Sequence, residues 1–177
     1  MNTTLPGTAL AFVLLASCFT STSADASSRR TLRPNAEGGA TAVTSVARQG
    51  PNGGTRLRNR STSTDGQGNA STVGGASTTG PNGATAVRTG QASRHADGSA
   101  ERSGSFSASG AKGTVVSSGS SSKTADGNVN ASRNTTATSA ATGNSMQSTA
   151  SYNQGTGVTR STTCYDASGA AMNCPSR

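Results

Sequence analysis

Residues 84–110 read ATAVRTGQASRHADGSAERSGSFSASG, and two residue classes alternate through the stretch almost without a break. Even positions carry Ala86, Arg88, Gly90, Ala92, Arg94 and Arg102, while odd positions carry Thr85, Thr89, Ser93, Ser103, Ser105 and Ser107. Successive residues of an extended strand point to opposite faces, so the alternation describes β structure with one Ala/Gly/Arg face and one Ser/Thr face. The same pattern returns from Gly127 to Ala137 and in Arg56, Arg58 and Arg60. Elsewhere it slips by one residue, as a change of register at a bulge or turn requires.

Outward from this stretch the chain is a tandem repeat. Pro51-Asn52-Gly53, Pro81-Asn82-Gly83, Ala111-Lys112-Gly113 and Ala141-Thr142-Gly143 recur every thirty residues. Asp65-Gly66, Asp97-Gly98, Asp126-Gly127 and Asn153-Gln154-Gly155 lie between them and halve the period to about fifteen. Asn-Gly and Asp-Gly favour tight hairpin turns, because both residues tolerate positive φ. One larger apolar residue follows most of these turns: Val43, Leu57, Val73, Val87, Val115, Val129, Met146 and Val158. After Gly98 only Arg102 and Phe106 stand near that place, so the apolar spine is interrupted there.

Composition excludes an ordinary core. From Ser27 onward Leu, Val and Phe fill only 11 positions, and Ile and Trp are absent. Burial on that scale does not offset the roughly 1 to 2 kcal/mol of entropy lost by each ordered residue. Stability must come from repetition, backbone pairing and hydroxyl ladders. The expected fold is all-β, built of ~15-residue strand-turn units in a 30-residue double repeat, arranged as a meander or a β-solenoid. A disordered low-complexity chain is the main alternative, although disorder normally accompanies a larger net charge than the +8 found here.

Four segments are expected: a signal peptide over 1–26, a flexible basic segment over 27–38, the repeat region over 39–160 and a disulfide-closed hairpin over 161–177. The apolar run Ala9–Phe19 is too short to span a bilayer and has the length of a signal-peptide core. The small-residue site Ala24-Asp25-Ala26 places cleavage before Ser27. Leu15-Ala16-Ser17-Cys18 offers a second route, in which Cys18 is the lipidated residue of a periplasmic or outer-membrane lipoprotein. Either route leaves Cys164 and Cys174, which are expected to pair in an oxidising compartment. Closing that short loop stabilises by roughly 2.5 to 3 kcal/mol on chain-entropy grounds, enough to fix one hairpin. Two Cys with a distant His95 do not make a structural zinc site.

Of the 15 basic residues 13 are Arg. On a strand, Arg56, Arg58 and Arg60 present three guanidinium groups on one face, a geometry suited to phosphate or sulfate polyanions such as extracellular DNA, lipopolysaccharide or acidic polysaccharide. Scattered arginine also keeps a repetitive chain soluble and discourages edge pairing. No reaction is legible. Ser93, His95 and Asp97 hold the groups of a nucleophile triad, but neighbours on one strand do not wrap around a reacting carbonyl. Gly66/Gly68 and Gly155/Gly157 lack the helix and Lys of a phosphate cradle. No cofactor or metal is expected, and no small-molecule substrate. The composition resembles that of curlin-type secreted amyloid subunits, but the Gln and Asn ladder positions of that family do not recur here, so no residue is carried over. The expected function is a secreted or cell-surface structural protein, non-enzymatic, whose partner is itself. The second reading is a basic surface protein or lipoprotein that binds polyanions.

Overall fold

A computed structural model describes residues 25–175. The Ala9–Phe19 run, Cys18 and Ala24 lie outside the described residues. Eleven strands follow one another: β1 Asp25–Pro34, β2 Ala40–Gln49, β3 Thr55–Thr64, β4 Ala70–Thr79, β5 Thr85–Arg94, β6 Ala100–Gly110, β7 Gly113–Lys123, β8 Val129–Ser139, β9 Ser145–Asn153, β10 Gly157–Tyr165 and the short β11 Ala171–Met172. Each pairs antiparallel with the next, so spatial order equals chain order and the sheet is an open meander, not a solenoid or a barrel. β1 to β6 begin at Asp25, Ala40, Thr55, Ala70, Thr85 and Ala100, fifteen residues apart, which makes one strand and one turn the repeating unit.

The turns explain the period. Gly50–Gly54, Gly80–Ala84 and His95–Ser99 each close with two backbone bonds, in which the fourth residue donates to the first at 3.0 to 3.1 Å and the first donates to the fifth at 2.7 to 2.9 Å. That pattern is a type I turn followed by a glycine bulge. Positive φ is confined to glycine among the described residues, so Asn52, Asn82 and Asp97 do not use the left-handed freedom expected of them. In the aspartate turns the side chain contributes instead: the Asp97 carboxylate accepts from Ser99 N at 2.8 Å, and Asp65 accepts from Gln67 N at 2.8 Å and Asn69 N at 3.1 Å.

No second layer covers the sheet. Only Cys164 and Ser117 are buried among the described residues, and Leu32 and Val116 remain 67% and 55% exposed. Hydroxyls bridge neighbouring strands instead, with Thr89–Ser105 at 2.7 Å, Ser117–Thr135 at 2.9 Å, Thr62–Thr72 at 3.0 Å and Thr149–Ser161 at 3.1 Å. Cross-strand pairs of this kind contribute about 0.2 to 1 kcal/mol each, so sheet stability rests on their number.

Register assigns every residue a face. One face carries Ser, Thr, Asn and Gln with scattered Val, and the other carries Ala, Gly and Arg, as the alternation implied. Parity reverses twice. Gly104 of β6 pairs with Gly119 of β7, and Arg133 of β8 pairs with Ala150 of β9, so β7 and β8 present odd residues where their neighbours present even ones. Residue class keeps its face through both reversals. The apolar spine does not: Val43, Leu57, Val73 and Val87 lie on the hydroxyl face, while Val115, Val129, Met146 and Val158 lie on the arginine face. Its interruption after Gly98 marks that crossing.

Two of the expected segment bounds are crossed by strands. The segment 27–38, expected to be flexible, is mostly strand, because β1 pairs with β2 from Asp25↔Gln49 to Pro34↔Ala40. Backbone pairing asks little of side chains, so β1 pairs although Arg29 and Arg33 fall on one face and Arg30 on the other. The expected cleavage between Ala26 and Ser27 therefore falls within β1. The hairpin expected over 161–177 is no separate unit either, since β10 crosses its boundary and belongs to the main sheet.

Candidate functional site

From β2 to β10 every arginine, together with Lys123, lies on the same face. The one carboxylate within those strands, Glu101, lies on the opposite face. Arg56, Arg58 and Arg60 share this face of β3, all exposed and two residues apart, which spaces them by about 6.8 Å. Arg48 stands directly across from Arg56. Like charges on adjacent strands repel, so the cluster costs stability that an anionic ligand would recover.

Acidic side chains are held elsewhere. Asp65, Asp97 and Asp126 sit with Glu37 in alternate turns at one end of the sheet, and Asp166 occupies the last turn at the other end. Each of the four aspartates is committed to its own turn. The Asn69 amide holds the Asp65 carboxyl below the usual carboxylate range, the Ser99 side chain does so for Asp97, the Thr124 hydroxyl for Asp126 and the Ser168 hydroxyl for Asp166. They remain ionised at neutral pH without neutralising the arginine face.

One row across that face is unusual: Arg30, Thr44, Arg60, Gly74, Gly90, Gly104, Gly119 and Arg133 are successive cross-strand partners. Four adjacent strands thus lack side chains along one line. Over β5 to β8 this line is the floor of an open groove of about 550 Å³, walled by Arg88, Arg102, Phe106 and Arg133. Arg133 is positioned, because its Nε donates to Ser117 Oγ at 3.0 Å and that buried hydroxyl bonds to Asn134 O at 3.0 Å. The sequence reading singled out the trio on β3 and missed this groove. Glycines at about the repeat spacing (74, 90, 104 and 119) were the available signal, masked by the more numerous turn glycines.

The remaining candidates do not converge. Ser93 ends on β5 while His95 and Asp97 belong to the following turn, and no hydrogen bond links the three among the described residues. No group of three His, Cys, Asp or Glu suited to a metal ion occurs among the described residues. Cys164 and Cys174 are joined by a disulfide with a Cα–Cα distance of 5.2 Å, which ties the chain beyond β11 back to β10 and fits an oxidising compartment outside the cytoplasm. No helix among the described residues is long and apolar enough to cross a membrane. Comparison with known protein families, with curated proteins and with solved structures finds no match.

Proposed function

We propose that the chain is an exported, non-enzymatic structural protein whose fifteen-residue units build an extended β element at the cell surface or outside it. The observation that carries this reading is the single layer: eleven strands form one open sheet with almost nothing buried. Such a sheet offers two broad faces and two edges. Among the described residues β1 pairs on one side only, and β11 covers only Cys164 and Tyr165 of β10. Open edges of this kind accept a further strand, so chains extend the sheet edge to edge. Shuffling residues within each unit at constant composition removes the alternation and is expected to abolish both the strand signal in circular dichroism and any fibres seen by electron microscopy. Assembly that survives the shuffle overturns the reading. Mass spectrometry of the mature amino terminus separates cleavage before Ser27 from lipidation at Cys18.

A second role is favoured by the arginine face, which gathers the cations of β2 to β10 on one side of the sheet and leaves Glu101 on the other. That segregation supports binding of polyanions in an envelope or matrix. Replacing Arg56, Arg58 and Arg60 by Gln is expected to weaken polyanion binding and to flatten its salt dependence in a titration series; unchanged binding removes the trio from the account.

A further inference from the structure

Resting on the polyanion-binding role, we infer that the glycine-floored groove across β5 to β8 is the seat of a linear acidic polysaccharide, its carboxylate or sulfate groups on Arg88, Arg102 and Arg133 and its sugar backbone over Gly90, Gly104 and Gly119. Three observations carry this assignment. The first is charge: all three arginines stand exposed on a face to which the strands contribute no carboxylate, and a guanidinium pairs bidentately with both anion types.

The second is the floor. Gly74, Gly104 and Gly119 have a local reason to be glycine, since a Cβ on them would come within 3.0, 2.9 and 2.7 Å of the carbonyl oxygens of Asn59, Thr89 and Ser132. Gly90 has none of that severity. A Cβ there would lie 3.4 Å from Ser103 O, an ordinary contact, yet the position that completes the bare line is also glycine. Glycine inside a strand often marks a bulge, a tight bend or the close approach of another backbone or ligand, and Gly90 stands in unbroken register with Gly74 and Gly104, which removes the bulge. From Arg60 to Arg133 the row spans five strand spacings, about 24 Å, the length of several sugar rings.

The third is the wall chemistry. Ser117 and Ser121 line the groove beside a single aromatic, Phe106. Hydroxyls and one ring suit a sugar, whereas single-stranded nucleic acid calls for successive aromatic platforms on which bases stack.

The test uses the oxidised mature chain in a fluorescence titration against polygalacturonate, heparin, a single-stranded DNA oligonucleotide and neutral dextran. Two variants address the groove: Gly90→Leu fills its floor and leaves every arginine in place, and Arg88→Gln with Arg102→Gln removes charge from its walls. Arg56→Gln with Arg58→Gln addresses the wider face. Circular dichroism checks that each retains the sheet, and the exposed Arg88/Arg102 pair carries the test if Gly90→Leu does not fold. The expected result is binding to an acidic polysaccharide that falls at least tenfold in both groove variants and less in the β3 variant, with no binding to dextran. Loss in the β3 variant alone overturns the groove and leaves the polyanion role standing. Tighter binding of the oligonucleotide, lost in the groove variants, overturns the polysaccharide in favour of nucleic acid. No binding to any polyanion overturns both the groove and the role.

Discussion

Among single residues, the clearest division of labour is between glycine and aspartate in the turns. Gly98 sits at φ +87° with nothing within 4 Å of an added Cβ, so its requirement is purely conformational. Gly98→Ala is expected to cost about 1 kcal/mol and Gly98→Asn less, read as shifts in the thermal midpoint. Gly90→Ala, where φ is ordinary and the space exists, is expected to be neutral or slightly stabilising. The aspartates give a pH signature. Asp65, Asp97, Asp126 and Asp166 have carboxyls held low by bonds within their turns, so between the folded and unfolded pKa values the unfolded chain holds more protons. Stability is therefore full above the unfolded value of about 4 and falls as pH drops through the folded values. Thermal melts from pH 7 to pH 2 are expected to show that decline, and Asp97→Asn, which keeps an acceptor for Ser99, to flatten part of it. The turn positions were legible in the sequence because Asp-Gly and Asn-Gly are strong local signals. The division of roles within each pair was not, since both residues tolerate positive φ and only the built turn shows which one adopts it.

Strands and hairpins show what alternation settles and what it leaves open. The two face compositions follow from Ala84 to Gly110 alone, because a period of two admits no other assignment in a strand. The parity reversals around β7 and β8 depend on how each turn pairs, and the only trace in the sequence is the gap in the Val, Leu and Met spine after Gly98, which by itself does not say that the spine changes sides. β1 was hidden for a related reason: Arg29, Arg30 and Arg33 suggest a solvated tail, yet backbone pairing accepts them. Those arginines also repel a second copy of this edge. Replacing all three by Ser is expected to add β1-to-β1 association to the joining of β1 with the opposite edge, seen as faster sedimentation, while leaving the strand content of the fresh monomer unchanged. At the other edge the disulfide holds the carboxy-terminal hairpin, in the one corner where Val115, Met146, Cys164 and Met172 gather. Cys174→Ser is expected to release β11 with a local loss of roughly 2.5 to 3 kcal/mol. Hydrogen exchange should quicken at Cys164 and Tyr165 and stay slow in β4 to β7.

Across the whole molecule, the absence of a second layer sets the thermodynamics. Heat capacity of unfolding follows exposed apolar area, about 12 to 15 cal/mol/K per residue for ordinary domains. With two buried residues among those described, this sheet is expected to fall well below that range in scanning calorimetry; a value within it would mean that apolar surface is covered by assembly. Each strand touches only its neighbours, so stability is a sum of nearest-neighbour terms, and a broad melt is expected rather than one sharp transition. The grooved arginine face belongs to this scale as well. No local segment of sequence contains it, because Arg88, Arg102 and Arg133 meet only when three turns fold in order.

The strict spacing of β1 to β6 carries one more implication, for heredity. Two units return the chain to the same end of the sheet with the same residue classes on the same faces. An in-frame duplication or loss of one double unit in the gene changes the sheet's width by about 9.6 Å and disturbs neither face. The protein is a ruler whose length selection can adjust by copy number, one pair of strands at a time.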